Sequence, residues 1–134
     1  MSVHRTCIAD GKGEKLYLRY WFPDVNDSIP EPVCVFKTPE LGGVPFRSAN
    51  ITYDSGRAAA NIVVEFDEAA RPLIEKMTAR NLGNVVAIVV GDRIASMPMI
   101  WKAYSDNKLL IVVRNKNEAA RILNVLNSGA AEGK

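Results

Sequence analysis

The stretch from Phe66 to Ile100, FDEAARPLIEKMTARNLGNVVAIVVGDRIASMPMI, decides how the chain folds. Phe66, Ala69, Ala70, Leu73, Ile74 and Met77 recur at spacings of three and four, which predicts a helix with one buried face. Asp67 is placed to cap that helix. Together with Glu68 it suits the positive N-terminal end, so neither carboxylate needs a chemical role. Pro72 lacks an amide proton and crowds the preceding turn, which predicts an irregular first turn or a later start. Leu82-Gly83 supplies the stop, because glycine enters the left-handed region without steric cost. The next run, Val85 to Val90, is apolar at every position and predicts a central strand covered on both faces. Gly91-Asp92 then turns the chain into Arg93–Ser96. Pro98 cannot donate to a ladder, so this partner strand should break or lie at an edge. Met99-Ile100-Trp101 is expected to pack under the sheet.

Upstream, Lys15 to Phe22 is rich in aromatic and branched residues and predicts a first strand, ended by Pro23-Asp24. Val25 to Pro32 holds two prolines and several turn formers and predicts a loop, followed by a short strand over Val33–Phe36. Ala49, Ile51 and Tyr53 alternate with polar neighbours within Arg47–Tyr53, the pattern of a half-buried strand. Asp54-Ser55-Gly56 carries hairpin chemistry, and Ala58–Phe66 returns as the antiparallel partner. Downstream, Leu109–Val113 predicts a short buried strand. A final helix is expected over about Asn117–Asn127, with Ala119, Ile122, Leu123 and Leu126 on one face and Ser128-Gly129 as its stop. The fold class is therefore α+β, an antiparallel or mixed sheet of about five to seven short strands with two helices packed on one face. Residues 1–134 are expected to form a single domain, with a flexible start over 1–14 and a frayed tail over 130–134.

An apolar fraction of 48% with 24% charged residues is globular composition and excludes a disordered chain. The net charge of +2 comes from scattered basic residues, Arg47, Arg57, Arg71, Lys76, Arg80, Arg93 and Lys102 among them, which argues against nucleic-acid binding. No apolar run approaches the ~20 residues that span a bilayer, so no membrane span is expected in this chain. Met1–Asp10 lacks the apolar core of a secretory signal, which leaves two settings: cytoplasmic if Met1 is the native start, periplasmic or extracytoplasmic if a signal was removed. Cys7 and Cys34 are too few for a disulfide framework. They are either separate reduced thiols or one bridge in an oxidising compartment.

Candidate chemistry is sparse. His4 is the only histidine and falls in the expected flexible start, where it would be solvated, so no histidine triad or multi-histidine metal site can be built. Cys34 sits in Val33-Cys34-Val35, the setting of a buried structural thiol. Gly42-Gly43 and Gly11-Lys12-Gly13 lack the spacing of a phosphate loop. Thr78 and Asn81 stand three apart at the helix end, where their side chains can bond local backbone and fix the following turn. No catalytic residue, metal or cofactor is expected. The aromatic run Tyr17, Tyr20, Trp21 and Phe22 differs, because alternate strand residues face opposite sides and not all the rings can be buried together. Tyr20 or Trp21 is thus one candidate binding patch, and Trp101 with Tyr104 is a second. An open sheet edge, such as the strand broken by Pro98, is another route to a peptide or to a homo-oligomer.

Four segments together resemble a known family: Phe66-Asp67-Glu68-Ala69-Ala70, then Thr78-Ala79-Arg80-Asn81-Leu82-Gly83-Asn84, then Val86-Ala87-Ile88-Val89, then Ser96-Met97-Pro98-Met99-Ile100. Their order and spacing are similar to the head of the first periplasmic domain of SecD, a protein-export membrane protein. The likeness extends more weakly over 32–128, and residues 1–30 add nothing to it. Gly91-Asp92 departs from the Asp-Gly hairpin that relatives often carry, and the transmembrane helices of the family are missing. The resemblance implies a non-enzymatic domain that contacts protein or extended polypeptide, with a possible link to export. The alternative is a freestanding immunity-like inhibitor that binds one specific partner.

Overall fold

The computed structural model describes residues 1–7, 13–22, 31–53 and 60–132. The expected loop over Val25–Pro32, all but its last two residues, and the hairpin turn Asp54-Ser55-Gly56 lie outside the described residues. In chain order the elements are β1 (Ser2–Arg5), β2 (Lys15–Leu18), β3 (Val33–Phe36), β4 (Leu41–Gly42), β5 (Phe46–Tyr53) and β6 (Ala60–Phe66). A 3-10 turn (Glu68–Ala70) leads to α1 (Arg71–Arg80), followed by β7 (Val86–Val90), β8 (Arg93–Ser96), β9 (Lys108–Val113) and α2 (Lys116–Glu132). Among the described residues the nine strands form three antiparallel sheets, β4-β1-β7-β8, β2-β3 and β5-β6-β9, so the fold is α+β.

β7 explains its own apolar run. All five residues are buried. Val86, Ile88 and Val90 turn to the main core, which they share with Ile62, Val64 and Phe66 of β6, Ile74 and Met77 of α1, and Ile122 and Leu126 of α2. Ala87 and Val89 turn to the opposite face and meet Tyr20, Val33, Val35 and Ile94 in a second cluster. A period-two strand sandwiched between two cores cannot carry a polar residue on either side.

Pro72 acts as expected. The chain makes its 3-10 turn first, and Pro72 stands in the opening turn of α1, where a missing amide proton costs nothing. Asp67 does not cap: no side-chain capping bond forms, and its carboxylate lies 3.5 Å from Arg47 instead. α2 is longer than its expected span and continues through Ser128-Gly129 to Glu132. A single helical glycine costs about 1 kcal/mol, which the helix formers around it can offset.

The start of the chain is the largest departure from the sequence reading. Ser2–Arg5 is an inner strand, paired with β7 over Ser2↔Val89 to Arg5↔Val86 and with β4 on its other side. His4 is buried rather than solvated. Its Nδ1–H donates to the Phe36 carbonyl at 2.7 Å, which leaves Nε2 to accept from the Ser2 hydroxyl at 2.7 Å. Cys7 and Cys34 form a disulfide with their Cα atoms 5.4 Å apart, so the bridged alternative is the one realised. The bridge and the Thr6↔Val35 pairing lash β1 to β3.

Candidate interaction surface

Two of the segments quoted above meet in space, and their hydrogen bonds build the surface. Ile100 N donates to the Asn84 carbonyl at 3.0 Å, Gly83 N to the Ile100 carbonyl at 2.8 Å and Val86 N to the Pro98 carbonyl at 3.0 Å. The β7–β8 hairpin thus continues past Pro98 in antiparallel pairing, through Val85↔Met99. In this register Gly83 stands across from Trp101. Its φ of 79° is the left-handed conformation that turns α1 toward the sheet.

Thr78 and Asn81, both without solvent exposure, brace this junction. The Thr78 hydroxyl lies 3.0 Å from the Ile74 and Glu75 carbonyls, to which it donates, and accepts the amide of Tyr104 at 3.2 Å. Asn81 Nδ2 donates to the Met77 carbonyl at 2.7 Å and to Glu40 Oε1 at 2.8 Å. Further along, Arg71 donates to the Ser105 carbonyl at 2.9 Å and also pairs with Glu68, whose carboxyl is held below its usual range by that hydrogen bond. Asn107 closes the loop, with its side chain bonded to the Phe66 carbonyl at 2.9 Å. The connection from β8 to β9 is therefore pinned at both ends and in the middle.

On this frame Trp101 is 81% exposed. Met99, two residues before it, and Leu82, next to Gly83 in the facing turn, are also exposed large apolar side chains. Tyr104 is half-buried against the main core. Burial, and then the Asp106 carboxylate, push its phenol above the usual range. It serves as the foot of the loop whose outer side chain is Trp101. Of the expected under-sheet trio, Ile100 alone is buried.

The other patch is dispersed. Tyr20 is 3% exposed and belongs to the second core cluster, beyond the reach of a partner. Trp21 is wedged half-buried against the β7–β8 turn, with its indole N–H donating to the Val90 carbonyl at 3.0 Å and the Arg93 guanidinium 5.9 Å from its ring. As Pro98 predicts, β8 ends at Ser96 and is the last strand of its sheet, and the same segment bonds part of that edge. Ile94 N donates to the Arg19 carbonyl and Trp21 N to the Ile94 carbonyl, both at 2.9 Å, so backbone from Arg19–Trp21 covers the outer edge of β8 at Ile94. The single bridge there is parallel, and no periodicity in the sequence announces it. Among the described residues, no three His, Cys, Asp or Glu side chains gather as a metal site would need, and no helix is long and apolar enough to cross a membrane.

The model of the SecDF P1 head subdomain family matches residues 19–132. This chain belongs to that family. The SecDF P1 head match starts at Arg19, in the segment that bonds β8, upstream of the four segments that carry the sequence likeness. Among solved structures, the fold is similar to one described as a membrane component SecDF that enhances protein export, at 21% identity and a TM-score of 0.64 over 95% of this chain and 61% of that one. It is similar also to SecDF in a super-membrane-facing form, at 21% identity and a TM-score of 0.65, covering 95% of this chain and 18% of that one. A third, the translocon-associated SecDF of Thermus thermophilus, is 28% identical with a TM-score of 0.56, covering 71% of this chain and 13% of that one. The chain thus spans under two thirds of each of these three SecDF structures. No curated protein matches it in sequence.

Proposed function

We propose that this SecDF P1 head subdomain is a non-enzymatic polypeptide-binding module that serves protein export through the surface around Trp101. The observation that carries the reading is an 81% exposed tryptophan on a loop whose backbone is fastened by Thr78, Arg71, Asn107 and the Gly83–Ile100 pairing. A large ring left in water on a rigid support has little conformational entropy to lose on binding, and such residues supply most of the affinity of a protein interface. Family membership and the export role stated for one matching SecDF structure supply the setting. The Cys7–Cys34 bridge suits an oxidising compartment, on the side of the membrane where exported chains emerge. Trp101, Leu82 and Met99 would contact apolar segments of the passing chain, with Tyr104 as support.

The test is a titration of the protein against a reduced, alkylated, permanently unfolded polypeptide, followed by fluorescence anisotropy of the labelled polypeptide. Trp101→Ala is expected to weaken binding about tenfold or more, as loss of a ~2 kcal/mol contact would. Saturable binding that Trp101→Ala leaves unchanged would overturn the site. Absence of binding to any unfolded chain, with tight capture of one folded partner, would favour the dedicated-inhibitor reading.

A further inference from the structure

The longest described strand, β5, runs along an edge of its sheet without a strand on its outer side among the described residues. The ladder shows which of its backbone groups are unused. Phe66 N donates to the Asn107 carbonyl, so the even-numbered residues of β6 direct their amides and carbonyls to β9 and the odd-numbered ones direct theirs to β5. Asn61, Val63 and Glu65 of β6 therefore bond Thr52, Asn50 and Ser48. The N–H and C=O groups of Ala49, Ile51 and Tyr53 point the other way, off the edge.

Edges of this kind are normally blunted by lysine, proline, a bulge or a covering element. β8 has its cover from Arg19–Trp21, β4 is two residues long, and β9 lies against β8. β5 has a bulge and a charge only at its start, at Arg47. The remaining six residues, Ser48-Ala49-Asn50-Ile51-Thr52-Tyr53, contain neither charge nor proline. Tyr53 is 66% exposed on the face where Ala49 and Ile51 reach the main core.

We propose that β5 pairs with β5 of a second copy of this chain, joining two three-stranded sheets into one antiparallel sheet of six across a twofold axis at Ile51. The choice of a second copy rests on the register. With Ile51 opposite its own mate, the outward groups of Ala49, Ile51 and Tyr53 meet those of Tyr53, Ile51 and Ala49. Each large Tyr53 ring then lies across from a small Ala49, Asn50 faces Thr52 on the other face, and the two apolar Ile51 side chains meet at the axis, so no like charges meet. One strand pair buries less than the roughly 1,000 Å² of a durable interface, so the dimer is weak, with a dissociation constant of roughly 10–500 µM.

Sedimentation equilibrium of the intact chain from about 1 µM to about 1 mM should show this concentration-dependent dimer. Asn50→Lys/Thr52→Lys and Asn50→Glu/Thr52→Glu change only exposed residues, and each places like charges opposite one another across the axis. Each double variant alone should be monomeric throughout that range, and an equal mixture of the two should dimerise. Ala49→Pro, which removes an outward N–H without touching the β6 ladder, should weaken association at least about tenfold. A monomer at every concentration overturns the proposal. So does a dimer indifferent to these changes, or a monomer that instead takes up an unfolded polypeptide at β5.

Discussion

Thr78 does with one hydroxyl what usually takes two residues, holding its own helix end and the amide of Tyr104 on the loop that carries Trp101. Thr78→Val keeps the shape and removes the hydroxyl. It should destabilise the fold by about 1–3 kcal/mol, because the Tyr104 amide and the helix carbonyls lose a partner, as chemical denaturation would show. Gly83→Ala is a cleaner case. A Cβ there meets nothing within 4 Å, so the expected loss of about 1–2 kcal/mol is the cost of the left-handed backbone alone. Trp101→Ala should leave stability within about 0.5 kcal/mol of the parent, since the ring packs on so little. Tyr20 adds a pH dependence. Burial, and then the Glu31 carboxylate, raise its phenol above the ordinary value of about 10. The neutral ring's contribution is therefore fully present below pH 10 and is lost as pH climbs through the raised folded value. Alkaline thermal melts should show this decline, and Tyr20→Phe should flatten it.

At the level of elements, what the sequence revealed depended on where the information lies. β7 was legible because its burial is written in a run apolar at every position, and α1 in part: Ala70, Ile74 and Met77 of the three-and-four spacing are buried, whereas Ala69 and Leu73 of the expected buried face stand exposed. β1 was not, because Ser2-Val3-His4-Arg5 reads as polar chain. Its place comes from distant partners: β7, the Phe36 carbonyl that accepts from His4, and Cys34. Trp101, which the structure leaves exposed, and Tyr20, which it buries, were not separable by residue type. Only the parallel pairing at Ile94 sends Tyr20 into the core. Thr78 and Asn81 were legible as turn-fixing residues, but the loop they support lies 26 residues away from Thr78 and could not be paired with it by local pattern. The disulfide joins positions 27 apart in sequence, and the chain-entropy account gives it about 3–4 kcal/mol of stability. A Cys7→Ser/Cys34→Ser variant should lose stability by about that amount in denaturant titrations, and reductant should have no further effect on it.

The whole molecule combines two cores on either side of β7 with a braced loop. The twin cores and the lashing of β1 to β3 make a stiff body. That body presents Trp101 to solvent without needing the ring for its own stability. Under the proposed function, such a body would hold a succession of polypeptide segments, since apolar contact on one ring is tolerant of sequence. Weak pairing through β5 would add avidity by presenting two such surfaces on one sheet.

The most direct measurement is a ¹H–¹⁵N spectrum of the folded chain during titration with an unfolded polypeptide, read at its two tryptophan indole N–H signals. The signal of Trp21, bonded to the Val90 carbonyl, is an internal reference. The account predicts that the Trp101 signal shifts or broadens in proportion to binding while that of Trp21 stays in place. Binding that moves signals elsewhere and leaves Trp101 unchanged would contradict it.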